Sequence, residues 1–182
     1  MYDRPGRDDP APLILTLVLD HSSQAFFDRQ RERWFPAKLN FIPAHVTMFH
    51  HLPGERSVSV REHLELLCAG QTSAEVAVTG LRSLGRGVAY DVRAPEMEVL
   101  RSRIAGRWRD HLTAQDQRPW QPHVTVQNKV SPAEAKDLLG QLARDFIPFT
   151  ATATGIAIWR YCGGPWESDA VVPFNSSDPP MS

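Results

Sequence analysis

Cysteine is scarce in this chain of 182 residues, with Cys68 and Cys162 the only two. They lie far apart and match neither a metal-binding nor a redox spacing, which excludes a disulfide framework, and both are read as reduced and structural. Long hydrophobic runs are also missing, so no segment is expected to span a bilayer. Met1 to Pro12 is polar and Pro-rich and has no signal-peptide core, from which a cytoplasmic location is expected. Charge of one sign is absent too: 20 Lys and Arg stand against 21 Asp and Glu. Such a chain has no global field to gather a polyanion, so DNA is excluded and a small nucleotide is a more natural ligand than long nucleic acid. A local basic cleft is still compatible with a neutral total.

What is present is enough apolar residue, 42% of the chain, to bury a real core as one domain or two small lobes. Residues 1–12 and 175–182 are rich in Pro, Asp and Ser and are expected to be flexible ends around one folded unit, 13–174. Inside it the pattern repeats. Leu13–Asp20 is an apolar run and reads as a buried strand. Ser22 or Ser23 can cap a helix to about Phe35, with Phe27 and Trp34 on one face. A strand is expected at 42–49, a helix at 58–67 with Val60, Leu64 and Leu67 on one stripe, and strands at 74–81 and 88–93 across a Gly85-Arg86-Gly87 turn. The second half echoes the first. Pro95–Leu112 has helical spacing of Met97, Leu100, Ile104 and Trp108, and a strand follows at 123–128. Ser131-Pro132-Ala133-Glu134 is a capping box opening a helix to about Phe146. Strands at 149–161 and 170–174, joined by Gly163-Gly164-Pro165, close the chain.

His-Val-Thr occurs twice, at His45-Val46-Thr47 and His123-Val124-Thr125, each just after a Pro (Pro43 and Pro122). Side chains alternate along a strand, so each copy presents an imidazole and a hydroxyl on one face and Val on the other. The copies are 78 residues apart (123 − 45) and occupy equivalent places in the repeat. This predicts an α+β fold of two lobes related by a pseudo-twofold axis, with antiparallel sheets around a central cleft and helices outside. Two imidazoles and two hydroxyls in one cleft suit attack on a phosphodiester. One His serves as base, the other as acid, and the hydroxyls meet the non-bridging oxygens.

On Pro43–Phe49 and Pro122–Asn128 the chain resembles the two-histidine phosphoesterase superfamily, in particular its bacterial 2′-5′ RNA ligase and cyclic phosphodiesterase branch. The resemblance covers most of the chain. It implies a bilobal fold, hydrolysis of cyclic phosphodiesters or reversible 2′-5′ joining of RNA ends, no metal and no organic cofactor, and catalytic roles for His45, Thr47, His123 and Thr125. The chain departs from the pattern at two places. His50 stands where many members carry an apolar aromatic, with Phe49 one earlier, and Asn128 stands where many carry Arg, with Lys129 next.

The expectation is therefore a metal-independent cyclic phosphodiesterase, a monomer, acting on a 2′,3′-cyclic nucleotide or RNA end. Its rivals are 2′-5′ ligation of RNA or tRNA halves, a non-catalytic nucleotide or RNA end-binding module, and a metal site built from His45, His50 or His51 and His123. Candidate substrate contacts are Lys129, Arg86 and Arg160 for phosphate and Trp120 for stacking on a base. Phe49 and Gln127 join them from within the two motifs. His21, His63 and His111 are assigned to helix surfaces.

Overall fold

The computed structural model describes residues 10–175. Most of the two ends expected to be flexible falls outside that range. The flanking residues inside it are tied down: the Pro12 carbonyl accepts from Tyr161 N–H at 3.1 Å, and Asn175 N–H donates to the Gln71 carbonyl at 2.8 Å. The elements are β1 (Leu13–Leu19), α1 (His21–Trp34), β2 (Val46–Leu52), α2 (Ser57–Ala69), β3 (Ala74–Ser83), β4 (Val88–Arg93), α3 (Pro95–Trp108), β5 (His123–Gln127), α4 (Pro132–Asp145), β6 (Phe149–Tyr161) and β7 (Trp166–Pro173).

Local chemistry accounts for most boundaries. Asp20, not Ser22 or Ser23, is the N-cap of α1: its carboxylate accepts from Ser23 N–H at 3.0 Å, and Ser22 Oγ donates to it at 2.6 Å. The capping box at Ser131 and Glu134 opens α4, and Pro95 starts α3, whose Met97, Leu100, Ile104 and Trp108 are all buried. β2 begins four residues later than its sequence pattern suggests. The reason is visible in the backbone of the preceding segment, which bonds to side chains of α1 instead of to a neighbouring strand. Ala44 N–H donates to Asp28 at 2.8 Å, and the Ile42 carbonyl accepts from Arg31 Nε at 3.1 Å. At the other end β7 starts at Trp166, directly after the turn, and not at Ala170. Of the cysteines, Cys68 is buried as expected, but Cys162 is exposed in that turn and has no place in the core.

All seven strands belong to one antiparallel sheet in the order β1-β2-β5-β4-β3-β6-β7, and β1 pairs with β6 as well, so six strands form a closed ring. Exchanging β1 with β4, β2 with β5 and β3 with β6 reproduces this ring, which is the symmetry the repeated sequence implies. The expected α+β class, antiparallel pairing and pseudo-twofold are found. The strand exchange between the halves leaves no mark in the sequence pattern. β3 pairs with β4 and β6 pairs with β1, so each half of the chain lends its last strand to the sheet of the other. The halves also meet along β3–β6, in register from Ala74↔Ala153 to Val78↔Phe149, and where β2 touches β5 at the single pair Val46↔Val124.

Below that pair lies the core, in which Val46, Val124, Phe49, Leu64 and Ile156 are fully buried. Arg31 of α1 is buried too, at 5% exposure. Its Nε donates to the Asn40 side chain at 2.7 Å and to the Ile42 carbonyl, and its Nη1 to the Thr125 carbonyl of β5 at 2.9 Å. One guanidinium thus ties the approach to the first His-Val-Thr to the backbone of the second. Burial pulls its pKa down, and Asp28 acts in the opposite direction.

These contacts set the stability of the frame. Asp20 also accepts Thr152 N–H at 2.8 Å, joining α1 to β6. Asp20→Ala should cost about 1–2 kcal/mol in urea unfolding at pH 7. Burial opposes the Asp20 charge but its donors outweigh that and hold the pKa far below the ordinary carboxylate range. The difference between wild type and variant should therefore be present above about pH 4 and shrink as pH falls further. Arg31→Met leaves three acceptors without a donor and should cost about 3 kcal/mol by the same measurement. A loss under about 1 kcal/mol, the net worth of a single ordinary hydrogen bond, would show that the clamp contributes little.

Candidate active site

The pair Val46↔Val124 fixes the geometry of the site. Its antiparallel register sets His45 opposite Thr125 and Thr47 opposite His123. Both Val side chains are buried, so the four motif side chains share the opposite face, each half-buried. Each His therefore lies beside the Thr of the other copy.

The two imidazoles are oriented alike. His45 Nδ1 is 2.8 Å from the Pro43 carbonyl, and His123 Nδ1 is 2.8 Å from the Gln121 carbonyl. A carbonyl oxygen only accepts, so Nδ1 carries the proton in both rings and Nε2 is left for chemistry. The backbones are pinned by the opposite halves: the Thr125 carbonyl accepts from Arg31, and the Thr47 carbonyl accepts from Trp120 Nε1 at 2.8 Å.

Their surroundings differ. Trp166 packs on His45 with ring centroids 4.7 Å apart, and Trp159 stands 6.2 Å from Trp166. Burial pushes the His45 pKa down to about 4; the positive charge of Arg31, His123 and His50 adds to this, and the bond to the Pro43 carbonyl opposes it. His45 is thus neutral at pH 7, with a free lone pair on Nε2. On the other side, His123 and Thr47 border a cavity of about 400 Å³ that also takes in His50, Arg101, Arg118 and Trp120.

The remaining expected contacts are distributed unevenly. Trp120 borders the cavity but its N–H is spent on the Thr47 carbonyl, which makes it a brace as well as a wall. Phe49 is fully buried, under the guanidinium of Arg101, and cannot reach a ligand. The register explains why: Thr16 pairs with Thr47 but Leu15 with Phe49, so Met48 is an extra residue in a bulge. The bulge inverts strand parity, sending Phe49 to the core and His50 toward the cavity. Gln127 is buried as well. Lys129 lies beyond the end of β5 with φ 62°, so strand parity does not carry it back beside His123. Arg86 sits in the β3–β4 turn and donates to the Val130 carbonyl at 3.0 Å. Arg160 is paired with Asp169 at 2.8 Å.

Trp166, Arg31, Arg101 and Asp116 are not singled out by the sequence pattern. Only Trp166 leaves a signal: a turn at 162–165 makes it the register partner of Tyr161. Among the described residues no three His, Cys, Asp or Glu side chains are grouped to hold a metal ion, and no helix is long and apolar enough to cross a membrane.

Comparison with known proteins gives a consistent placement. None of the curated proteins matches the chain in sequence. Solved structures do match its fold. TT0787 of Thermus thermophilus superposes with a TM-score of 0.64 at 14% identity, over 92% of this chain and 100% of its own. E. coli LigT complexed with 3′-AMP gives 0.58 at 14% identity, over 92% and 99%. A protein described as a phosphoesterase gives 0.52 at 16% identity, over 91% and 99%. At such identities the likeness shows the fold. The profile of the 2′-5′ RNA ligase superfamily matches residues 19–165, which takes in both His-Val-Thr copies, and the chain belongs to that superfamily of two-histidine phosphoesterases.

Proposed function

We propose that the protein is a cyclic phosphodiesterase that opens 2′,3′-cyclic phosphates of nucleotides or RNA ends by paired-histidine acid–base catalysis without a metal. The observation that carries this reading is the register Val46↔Val124, which juxtaposes two His and two Thr on one face. E. coli LigT, a protein of this fold, has been crystallised with 3′-AMP, ATP and NADP⁺, which supports a nucleotide-like ligand for this cleft.

The asymmetry of the pair suggests the roles. Neutral His45 takes a proton from water through Nε2 as the water oxygen bonds to phosphorus. His123, as imidazolium, gives its Nε2 proton to the ribose oxygen as the P–O bond breaks. The products are a ring-opened phosphate monoester and a pair of histidines with protonation exchanged, which solvent resets. Thr47 and Thr125 donate to the non-bridging oxygens while charge grows there. Ring closure or 2′-5′ joining would use the same groups in reverse. The five-membered ring is strained, so positioning and proton transfer suffice. Trp166 offers an apolar indole for a base to stack on beside His45.

The first test is hydrolysis of 2′,3′-cyclic AMP and of a short RNA with a 2′,3′-cyclic end, with EDTA present. His45→Ala and His123→Ala should each lower kcat about 10²–10⁴-fold, and Thr47→Val or Thr125→Val about 10²-fold. Unchanged turnover in either His variant would remove the mechanism, and tight binding without turnover would favour an end-binding module.

The second is the pH profile. A base with a pKa of about 4 keeps its lone pair down to that pH, so the acid limb of kcat/KM should fall near pH 4. The limbs of the profile belong to the coupled pair. An acid limb near about 6.5, where an ordinary imidazole titrates, would mean that His45 is not the base. Arg31→Met should move the acid limb upward by removing a positive neighbour of His45.

A further inference from the structure

The cavity beside His123 and Thr47 is built in a way that the paired-histidine chemistry does not require. A second register shift in β2 falls between the partners of Leu13 and Leu15, which are Leu52 and Phe49. Around it, the N–H groups of His50 and His51 turn away from β1 and donate to a side chain. That side chain is Asp116, which takes His50 N–H at 2.9 and 3.1 Å and His51 N–H at 2.9 Å. It also takes His50 Nδ1 at 3.0 Å. The Asp116 carboxylate is 1% exposed while the His50 side chain is 41% exposed. Asp116 thus holds the His50 ring through Nδ1 and leaves Nε2 free of it, on a side chain that lines the cavity.

Positive charge predominates around this space, with Arg101 and Arg118 against Asp116. Arg101 Nε donates to the Met48 carbonyl at 2.8 Å and its Nη2 to the Asp116 carbonyl at 2.7 Å, which fixes a guanidinium in the wall. Arg118 stands exposed at the rim. Asp116 is the only acidic residue lining the cavity among those described. Burial works against its charge, but the His50 imidazole and the His50 and His51 amides outweigh that and keep it ionised below the usual carboxylate range. Its oxygens are turned to those donors and away from a ligand. A neutral chain has therefore gathered two guanidiniums and an oriented imidazole beside one half of the tetrad.

We propose that this cavity is a second anion subsite, in which Arg118, Arg101 and the Asp116-held His50 receive another phosphate of the same substrate. This deepens the reading above and rests on it. The favoured substrate is then a cyclic phosphate that carries a further phosphate on the same nucleotide, in preference to a plain nucleoside 2′,3′-cyclic phosphate. The further group can be a 5′-phosphomonoester or the diester that precedes the last nucleotide of an RNA strand. In its imidazolium form His50 bridges the Asp116 carboxylate and that phosphate.

The test has a binding arm and a turnover arm, both on the full chain. Calorimetry with adenosine 3′,5′-bisphosphate and with 3′-AMP should show the bisphosphate bound about tenfold or more tightly. Arg118→Ala and His50→Leu should each bring that ratio to within about twofold of one. Arg118 is exposed, so its variant will fold. In turnover, kcat/KM for 2′,3′-cyclic AMP should rise by a similar factor when a 5′-phosphate is added. An equal gain for the dinucleotide with a cyclic end assigns the subsite to an RNA strand, and a gain with the monoester alone assigns it to a mononucleotide. Equal affinities in wild type, or a preference that survives both variants, would overturn the proposal. If no cyclic phosphate turns over while the binding ratio and its dependence on Arg118 persist, the hydrolase reading fails and the subsite stands.

Discussion

Two strands that touch at one residue pair carry the whole candidate site. Val46 opposite Val124 is the only registered contact between β2 and β5, so the ladder between these two strands gives little to hold the motifs to each other. Side chains supply the rest. Arg31 reaches from α1 to the Thr125 carbonyl, and Trp120 reaches from the second half to the Thr47 carbonyl. Each motif is braced by a residue of the half that does not contain it.

The sequence repeat and the fold share a twofold, but the chemistry breaks it. Both imidazoles hold their Nδ1 protons on carbonyls two residues earlier. One of them then sits against the Trp166 indole and near a buried guanidinium, and the other opens onto a cavity with two arginines in its wall. A symmetric scaffold with asymmetric surroundings is what a proton relay needs, since two identical imidazoles would compete for the same role.

Much of this is legible in the residues themselves. Alternation within His-Val-Thr and its recurrence at an equivalent place give the shared face, and helical spacing, Pro95 and the Ser131 capping box give the helices. What is not legible depends on contacts distant in the chain. The late start of β2 is set by Asp28 and Arg31 of α1, which take backbone groups that a local pattern assigns to a ladder. The misplacement of Phe49 comes from a bulge at Met48, since one extra residue reverses every side chain after it. Asp116 lies in a stretch with no periodicity, and nothing near it in sequence announces that it will accept the amides of His50 and His51. The exchange of β3 and β6 between halves is invisible for the same reason: each half reads as complete.

That exchange has a consequence for how the chain comes into being. The closing seam joins Leu13 to Arg160, a separation of 147 residues (160 − 13), and each half needs the last strand of the other to complete its sheet. A nascent chain that has already made both His-Val-Thr copies still lacks the strand that shuts the ring. Loop closure over such a distance is slow, and unpaired edges of β1 and β3 stand open until β6 arrives. A duplicated ancestral half, if it once stood alone, would have had to close on a second copy of itself.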